Sequence, residues 1–507
     1  MNPGCLLHER LLVWATTQPD APFIVEAETG SALAYRQSFA AVQTLRRVLG
    51  EEPRRVLLAL PGGTANAIIW LSALTGGHTL IPVAPDAPAQ EVMRIAALFP
   101  PDVVIAQQQE DAARFGLQSA CILTQDACAA LLHDPKPDAG DLPAPTAGQV
   151  CLRTSGSTGL PKSVLLGEEQ IAWTADQIRL SHQLVPADRG LAVLPFSHVN
   201  APVVSLCASL LAGSAVVIAP RFSRSRFWGW IEQQQITWAS IVPTILALLL
   251  QTERPAFLPG ALRFVRTASA PLPAIQLLQF ERQFGVPVIE TYGLTEAASQ
   301  VCANPFPPGR HVPGSVGKPA GVALRVCRPD VGNGQGLQDV ARGEAGEVCV
   351  AGPGVVTSYV GDAAPEAFQG GWFRTGDLGY QDADGYLYLI GRLRDMIIRG
   401  GESIAPREIE EVLLAHPAVL EAAVIGRPDP LYGEQVAAFI VAREAWTAAL
   451  EERLRAHCAE YLSHHKIPAT FTATDALQRT QSGKIDRQRL RWQELSQPAP
   501  GADIHAA

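Results

Sequence analysis

From Val56 to Pro85 the chain contains no Asp, Glu, Lys or Arg, and a second such stretch runs from Ala201 to Pro220. Segments this long without charge either enter a membrane or lie inside a protein, so they restrict the fold more than any other feature. The second would be long enough, as a helix, to span a hydrocarbon core of about 30 Å. Punctuation argues for burial instead. Pro61-Gly62-Gly63 and Gly76-Gly77 divide the first stretch into VLLAL, ANAIIWLSAL and TLIPV, the strand, helix and strand of a buried βαβ unit. Gly213 divides the second into a helix-length piece and the strand-like AVVIA. No membrane span is expected.

Similar apolar runs (DVVIA, TWASIVP, LRFVRTAS, VPVIETYG) alternate with helical segments over most of the chain, which predicts α/β sheets with helices on their faces. From about Gly314 the texture changes. VALRVCRP, GEVCVAG and GYLYLIGR are short strands separated by Gly, Asp and Pro, and the first two flank a polar, Gly-rich loop. This pattern predicts a small antiparallel, β-barrel-like subdomain. A boundary falls near Gly391-Arg392-Leu393-Arg394-Asp395. Beyond it REIEEVLLAHPAV reads as a helix, EAAVIG and VAAFIVA as strands, and TAALEERLRAHCAEYLSHH as a helix with Leu450, Leu454, Cys458 and Leu462 on one face. The expected organisation is thus a large N-terminal α/β domain over 1–393 and a small α+β domain over 394–507, with a disordered tail after about 493.

Composition agrees with this reading. Charged residues are 18% of the 507, below the roughly 25% of an average soluble protein, as several buried sheets require. The net charge of -9 argues against a nucleic-acid surface. Nine cysteines form no C-x-x-C pair and several have apolar neighbours, which suggests small buried hydrophobes in a reducing, cytoplasmic compartment. Glu9 and Arg10 interrupt the N-terminal region where a secretion signal needs an apolar run.

Four motifs carry chemistry. Thr154-Ser155-Gly156-Ser157-Thr158-Gly159-Leu160-Pro161-Lys162 follows a strand-like VCLR. Its hydroxyls donate, its glycines let backbone N–H groups approach an anion, and Lys162 supplies a point charge, so it suits a polyphosphate. A Walker loop needs Gly before the Lys, where this chain has Pro161. Taken alone, the run also suits an ordinary surface loop. Glu290-Thr291-Tyr292-Gly293-Leu294-Thr295-Glu296 ends a strand, where open α/β sheets bind ligands, and Glu296 offers hard oxygen to Mg²⁺. The bland reading is a strand and a helix capped by Thr295. Asp377, in a Gly-flanked turn, can accept from two sugar hydroxyls or merely shape the turn. Thr480-Gln481-Ser482-Gly483-Lys484 near the C-terminus reads either as a functional lysine loop or as solvent-exposed decoration.

Together, in this order, TSGSTGLPKS, ETYGLTEAA, GWFRTGDLGYQDADGYLYLIGR, RGGESIAPREIEEVLLAHP and QSGKIDR resemble the acyl-adenylate-forming superfamily from about Leu7 to Leu490. The resemblance implies a two-step reaction. A carboxylate attacks the α-phosphate of ATP to give acyl-AMP and pyrophosphate, and a thiol then displaces AMP. It implies that Lys484 bridges carboxylate and α-phosphate, that Thr295 binds the α-phosphate, that Glu296 holds Mg²⁺, and that residues 154–162 cradle the β- and γ-phosphates. Asp377 and Arg392 would hold the ribose; Ser269-Ala270-Pro271 and Tyr292 would frame the adenine; His198 would gate the carboxylate site.

The same resemblance makes the small domain mobile, with Arg394 in place of the usual hinge Asp or Lys. Gly400 and Gly401 would line the thiol tunnel, although a plain turn explains them equally. Ser163 and Arg153 depart from the usual Gly and aromatic or His; a pocket-facing Arg153 would favour an anionic acid, and a surface ion pair is the alternative. The acceptor is expected to be CoA, as in oxalate or medium-chain acyl–CoA ligases, with a carrier-protein phosphopantetheine as the alternative. FSHVNAPVV has no acid to grip an α-amino group, which counts against an amino-acid substrate, and no carrier domain is expected after Lys484. A non-catalytic, nucleotide-binding relative is disfavoured because Lys162, Glu296, Asp377, Arg392 and Lys484 are all present.

Overall fold

A computed structural model of the chain describes residues 5–115, 121–133, 144–154, 162–255, 262–329, 336–479, 485–487 and 489–491. Ser155–Pro161, Thr480–Lys484 and the tail after 493 lie outside the described residues. The chain divides into two compact units: 1–272, 276–324 and 349–374 form the first, and 273–275, 325–348 and 375–507 the second.

In the first unit the charge-free stretches are interior. Strands Arg55–Ala59 and Thr79–Pro82 pair in parallel, Leu57 opposite Ile81, and helix Thr64–Thr75 connects them. That helix is buried along nearly all its length, so it shows no polar face. Among the described residues six strands make this sheet, which ends in the antiparallel hairpin Gln149–Thr154 and Lys162–Gly167. A second sheet has nine strands among the described residues. Its centre is parallel: Arg189–Ala192, Trp238–Ile241, Phe264–Thr267 and Val288–Tyr292 lie side by side. One face packs Leu191, Val217, Ala239, Ile241, Val265 and Val288 against Phe227, Trp230, Phe280 and Phe284. The Ala201–Pro220 stretch is helix then strand as expected, but its first part, Asn200–Cys207, is a π-helix that continues as α-helix to Ala212. Sequence periodicity cannot separate the two helix types, because every side chain from Asn200 to Cys207 is buried.

Strands Ala323–Cys327, Gly346–Ala351, Trp372–Gln381 and Leu387–Arg392 form at the short runs predicted for a β-rich subdomain, and the division between units falls within the first three. The second unit is α+β. Strands Val419–Asp429 and Gly433–Ala442 form its central antiparallel pair, and Thr470–Ala473 adds in parallel to the latter. Helix Ala448–Tyr461 starts where the Thr447 hydroxyl accepts from the Leu450 N–H at 3.1 Å. Its face of Leu450, Leu454 and Cys458, extended by Leu462, packs with Ile409, Leu413, Val424 and Ile440. All nine cysteines are free, and all but Cys121 are buried. Among the described residues no helix is long and apolar enough to cross a membrane.

Candidate active site

The predicted site residues fall into two groups, one in each unit. In the first unit, Thr154 and Lys162 are opposite each other at the end of their hairpin. The residues between them, including Ser155, Gly156, Ser157, Thr158 and Gly159, lie outside the described residues. The Lys162 ammonium sits 4.9 Å from the centre of the Tyr359 ring, within cation–π range. The Tyr359 hydroxyl donates to Glu296 Oε1 at 2.7 Å. Tyr359 therefore touches both the lysine of the phosphate-loop motif and the carboxylate expected to hold Mg²⁺. Phe368 and Phe373 meet its ring edge-on, with centroids 5.4 and 6.2 Å away.

Glu296 lies in the short 3₁₀ turn Thr295–Ala297, just beyond strand Val288–Tyr292. The turn starts after Leu294, and Thr295 is its first residue rather than a side-chain cap. Tyr292 is buried at the strand end. Close approach shapes this corner: a Cβ on Gly293 would lie 1.3 Å from the Ser299 carbonyl oxygen, so no larger residue fits. Ala298 and Ser299 have φ of 49° and 101°, and Ser269, in the Ser269-Ala270-Pro271 segment, has φ of 75°. Non-glycine residues held there cost about 1–3 kcal/mol each and cluster at ligand sites.

His198 is half-buried in the loop that leads into the π-helix. A polar chain runs from that helix across the sheet. Asn200 Nδ2 reaches Ser269 Oγ at 3.5 Å, the Ser240 hydroxyl donates to Asn200 Oδ1 at 3.0 Å, and Arg266 Nη1 donates to Ser240 Oγ at 3.3 Å. Burial pushes the Arg266 guanidinium down to about 9. Burial and the nearby Arg266 charge hold His182 neutral, at about 3. Arg153, opposite Ser163, belongs to the other sheet.

In the second unit, Asp377 and Arg392 are cross-strand partners, and Arg392 Nε contacts Asp377 Oδ1 at 2.8 Å. Asp377 is buried, and its backbone N–H donates to the Thr375 hydroxyl at 3.0 Å. Arg394 follows in the turn Leu393–Asp395; burial, then the Arg392 charge, lowers its guanidinium. Gly400 and Gly401, with φ of 60° and 87°, form the two-residue turn between strands Ile397–Arg399 and Glu402–Ile404. Lys484 lies outside the described residues.

Sequence reading named Lys162 and Glu296 but missed Tyr359, Asn200, Ser240 and Arg266. For Arg266 a signal existed: a full charge in the middle of LRFVRTAS, a strand otherwise apolar enough to be interior. For Tyr359 there was none, because its partners are remote in the chain.

Known proteins resemble this chain in sequence and in fold. Residues 11–360 match the AMP-binding enzyme family and residues 408–484 the AMP-binding enzyme C-terminal domain. A sulfoacetate–CoA ligase of Cupriavidus necator is 38% identical, over 95% of this chain and 96% of that protein. An oxalate–CoA ligase of Arabidopsis thaliana is 40% identical over 70% of this chain and 69% of its own length. The crystal structure of ATP-bound MatB from Rhodopseudomonas palustris superposes with a TM-score of 0.87 at 26% identity, covering 97% of this chain and 99% of that one. The chain belongs to the AMP-binding enzyme family.

Proposed function

We propose that the chain is an AMP-forming carboxylic acid–CoA ligase that adenylates a small acid with ATP and then forms its CoA thioester. The observation that supports this most is the contact of Lys162 and Glu296 with one buried tyrosine, at the carboxyl end of a parallel strand. Relatives named as CoA ligases, one matched along nearly its full length, weigh for CoA over a carrier-protein thiol.

In the first step two anions must meet, and charge builds on phosphorus. Lys484 bridges the carboxylate and the α-phosphate, Thr295 donates to that phosphate, and residues 154–162 hold the β- and γ-phosphates. Tyr292 and Ser269-Ala270-Pro271 flank the adenine, Asp377 accepts from the ribose hydroxyls with Arg392 beside it, and His198 lies by the acid. Glu296 fits Mg²⁺: its Oε1 is oriented by Tyr359, while Oε2 takes no hydrogen bond among the described residues. A single carboxylate suits an ion that keeps waters and phosphate oxygens as its other ligands. When bound, Mg²⁺ supplies neutralisation of the polyphosphate charge.

For the second step the segment from Arg394 onward acts as a mobile lid, and Gly400 and Gly401 line the pantetheine path. The compartment we propose is the cytoplasm, on the strength of nine free cysteines. The test is an acid panel assayed for pyrophosphate release, with CoA and a phosphopantetheinylated carrier protein compared as acceptors. Acid-dependent release with thioester formed only on CoA is the expected outcome; release without thioester, or thioester formed only on the carrier, refutes the assignment.

A further inference from the structure

Arg266 is 0% exposed, and among the described residues no carboxylate pairs with it. Among the described residues only Nη1 has an acceptor, the Ser240 hydroxyl, and Nε and Nη2 are buried with none. An isolated cation in a protein interior costs several kcal/mol and persists only when something else offsets it. The polar groups that the structure joins to this one are neutral. Ser240 and Asn200 are uncharged, and the nearby His182 is held neutral.

The cluster lies at the ligand-binding edge of the sheet. Arg266 lies on a parallel strand one residue before its carboxyl end, in the region where open sheets take ligands. Ser240 and Asn200 link it to Ser269, whose φ of 75° marks the strained segment expected beside the nucleotide. Asn200 also opens the π-helix two residues after His198, and π-turns occur frequently at functional sites.

We propose that Arg266, with Ser240 and Asn200, forms a subsite for a second anionic group, a carboxylate or sulfonate, on the acid that the enzyme activates. This rests on the ligase reading above and adds to it a substrate class: short acids bearing two anionic groups. The guanidinium presents Nε and Nη2 side by side, a fork that matches two anion oxygens. Ser240, which already donates to Asn200, fixes the fork's orientation from the other edge.

The test compares malonate and sulfoacetate with malonamate, in which one carboxylate is a neutral amide, as substrates for pyrophosphate release and as ligands in calorimetry. The wild type should favour the doubly charged acids by on the order of 10³ in kcat/KM, because an acid lacking the second charge leaves the buried fork unpaired. Arg266→Met should abolish that preference while malonamate turnover persists, and Arg266→Lys should restore part of it. Equal use of malonate and malonamate by the wild type overturns the proposal even if Arg266→Met fails to fold. An equal loss of both acids in a folded Arg266→Met also overturns it, since a structural cation would behave that way. Binding of malonate that Arg266→Met abolishes, in a protein that turns over no acid, supports the subsite and refutes the ligase reading. Absence of both binding and turnover overturns the subsite.

Discussion

Replacing Tyr359 by Phe removes one oxygen and leaves the ring. The ring keeps its place 4.9 Å from the Lys162 ammonium and its edge contacts with Phe368 and Phe373. What is lost is the 2.7 Å hydrogen bond to Glu296 Oε1, between residues 6% and 8% exposed. A hydrogen bond to a charged group contributes about 1.5–3 kcal/mol, and the carboxylate is left without its donor. If Tyr359 only supports the fold, that energy appears in stability alone. If it positions Glu296 for magnesium–ATP, the same energy appears in turnover, where 1.5–3 kcal/mol corresponds to roughly 10- to 100-fold in kcat/KM for ATP. Tyr359→Phe should therefore lower the urea-unfolding free energy of the first unit by about 2 kcal/mol and lower kcat/KM for ATP by that factor. Tyr359→Leu should lose about a further 0.5–1 kcal/mol through the cation–π contact. Pyrophosphate release at varied ATP and excess Mg²⁺ reads the kinetic part. Wild-type ATP kinetics in a Tyr359→Phe protein that has lost stability would refute the positioning role, and an unchanged urea midpoint would refute the hydrogen bond's contribution.

Two other substitutions follow from the geometry. Gly401→Leu puts a side chain at φ 87°, costing about 1–2 kcal/mol of local strain, but its Cβ meets nothing within 4 Å. It should leave pyrophosphate release within about twofold and cut acyl-CoA formation, followed by chromatography, more than tenfold; an equal loss of both sinks the tunnel assignment. His182, held at about 3 against an ordinary 6.5, binds fewer protons folded than unfolded. Its contribution to stability is therefore complete above pH 6.5 and falls as pH drops toward 3, with a slope of about 1.4 kcal/mol per pH unit. His182→Gln should flatten the stability–pH curve by that slope between pH 4.5 and 6, measured by urea unfolding; an unchanged slope contradicts a buried neutral His182.

The parts of the fold legible in the sequence are those where burial leaves a mark on composition. VLLAL, ANAIIWLSAL and TLIPV read as strand, helix and strand because a βαβ unit covered on both faces has no room for charge. The Leu450, Leu454, Cys458 and Leu462 stripe read correctly because its other face meets water. The π-turn at Asn200–Cys207 was illegible, since it changes hydrogen-bond spacing and not residue type. At the site, sequence motifs name the residues that offer groups to a ligand but not those that hold them in place. Asp377 and Arg392 were both named, yet only the strand register makes them a pair. Tyr359 sits in VVTSYVGD, which has no feature of its own, and acquires meaning only from the folding together of residues 162, 296 and 359.

The proposed reaction has two steps, and the first runs through a C-terminal lysine. The most direct measurement is acid-dependent ATP–pyrophosphate exchange without any thiol, in wild type and Lys484→Ala, alongside CoA thioester formation from preformed acyl-AMP. Wild type should exchange, Lys484→Ala should lose exchange by on the order of 10²–10³, and both should form thioester from acyl-AMP. Undiminished exchange in Lys484→Ala, or thioester formation in the wild type with no acid-dependent exchange, would contradict this reaction.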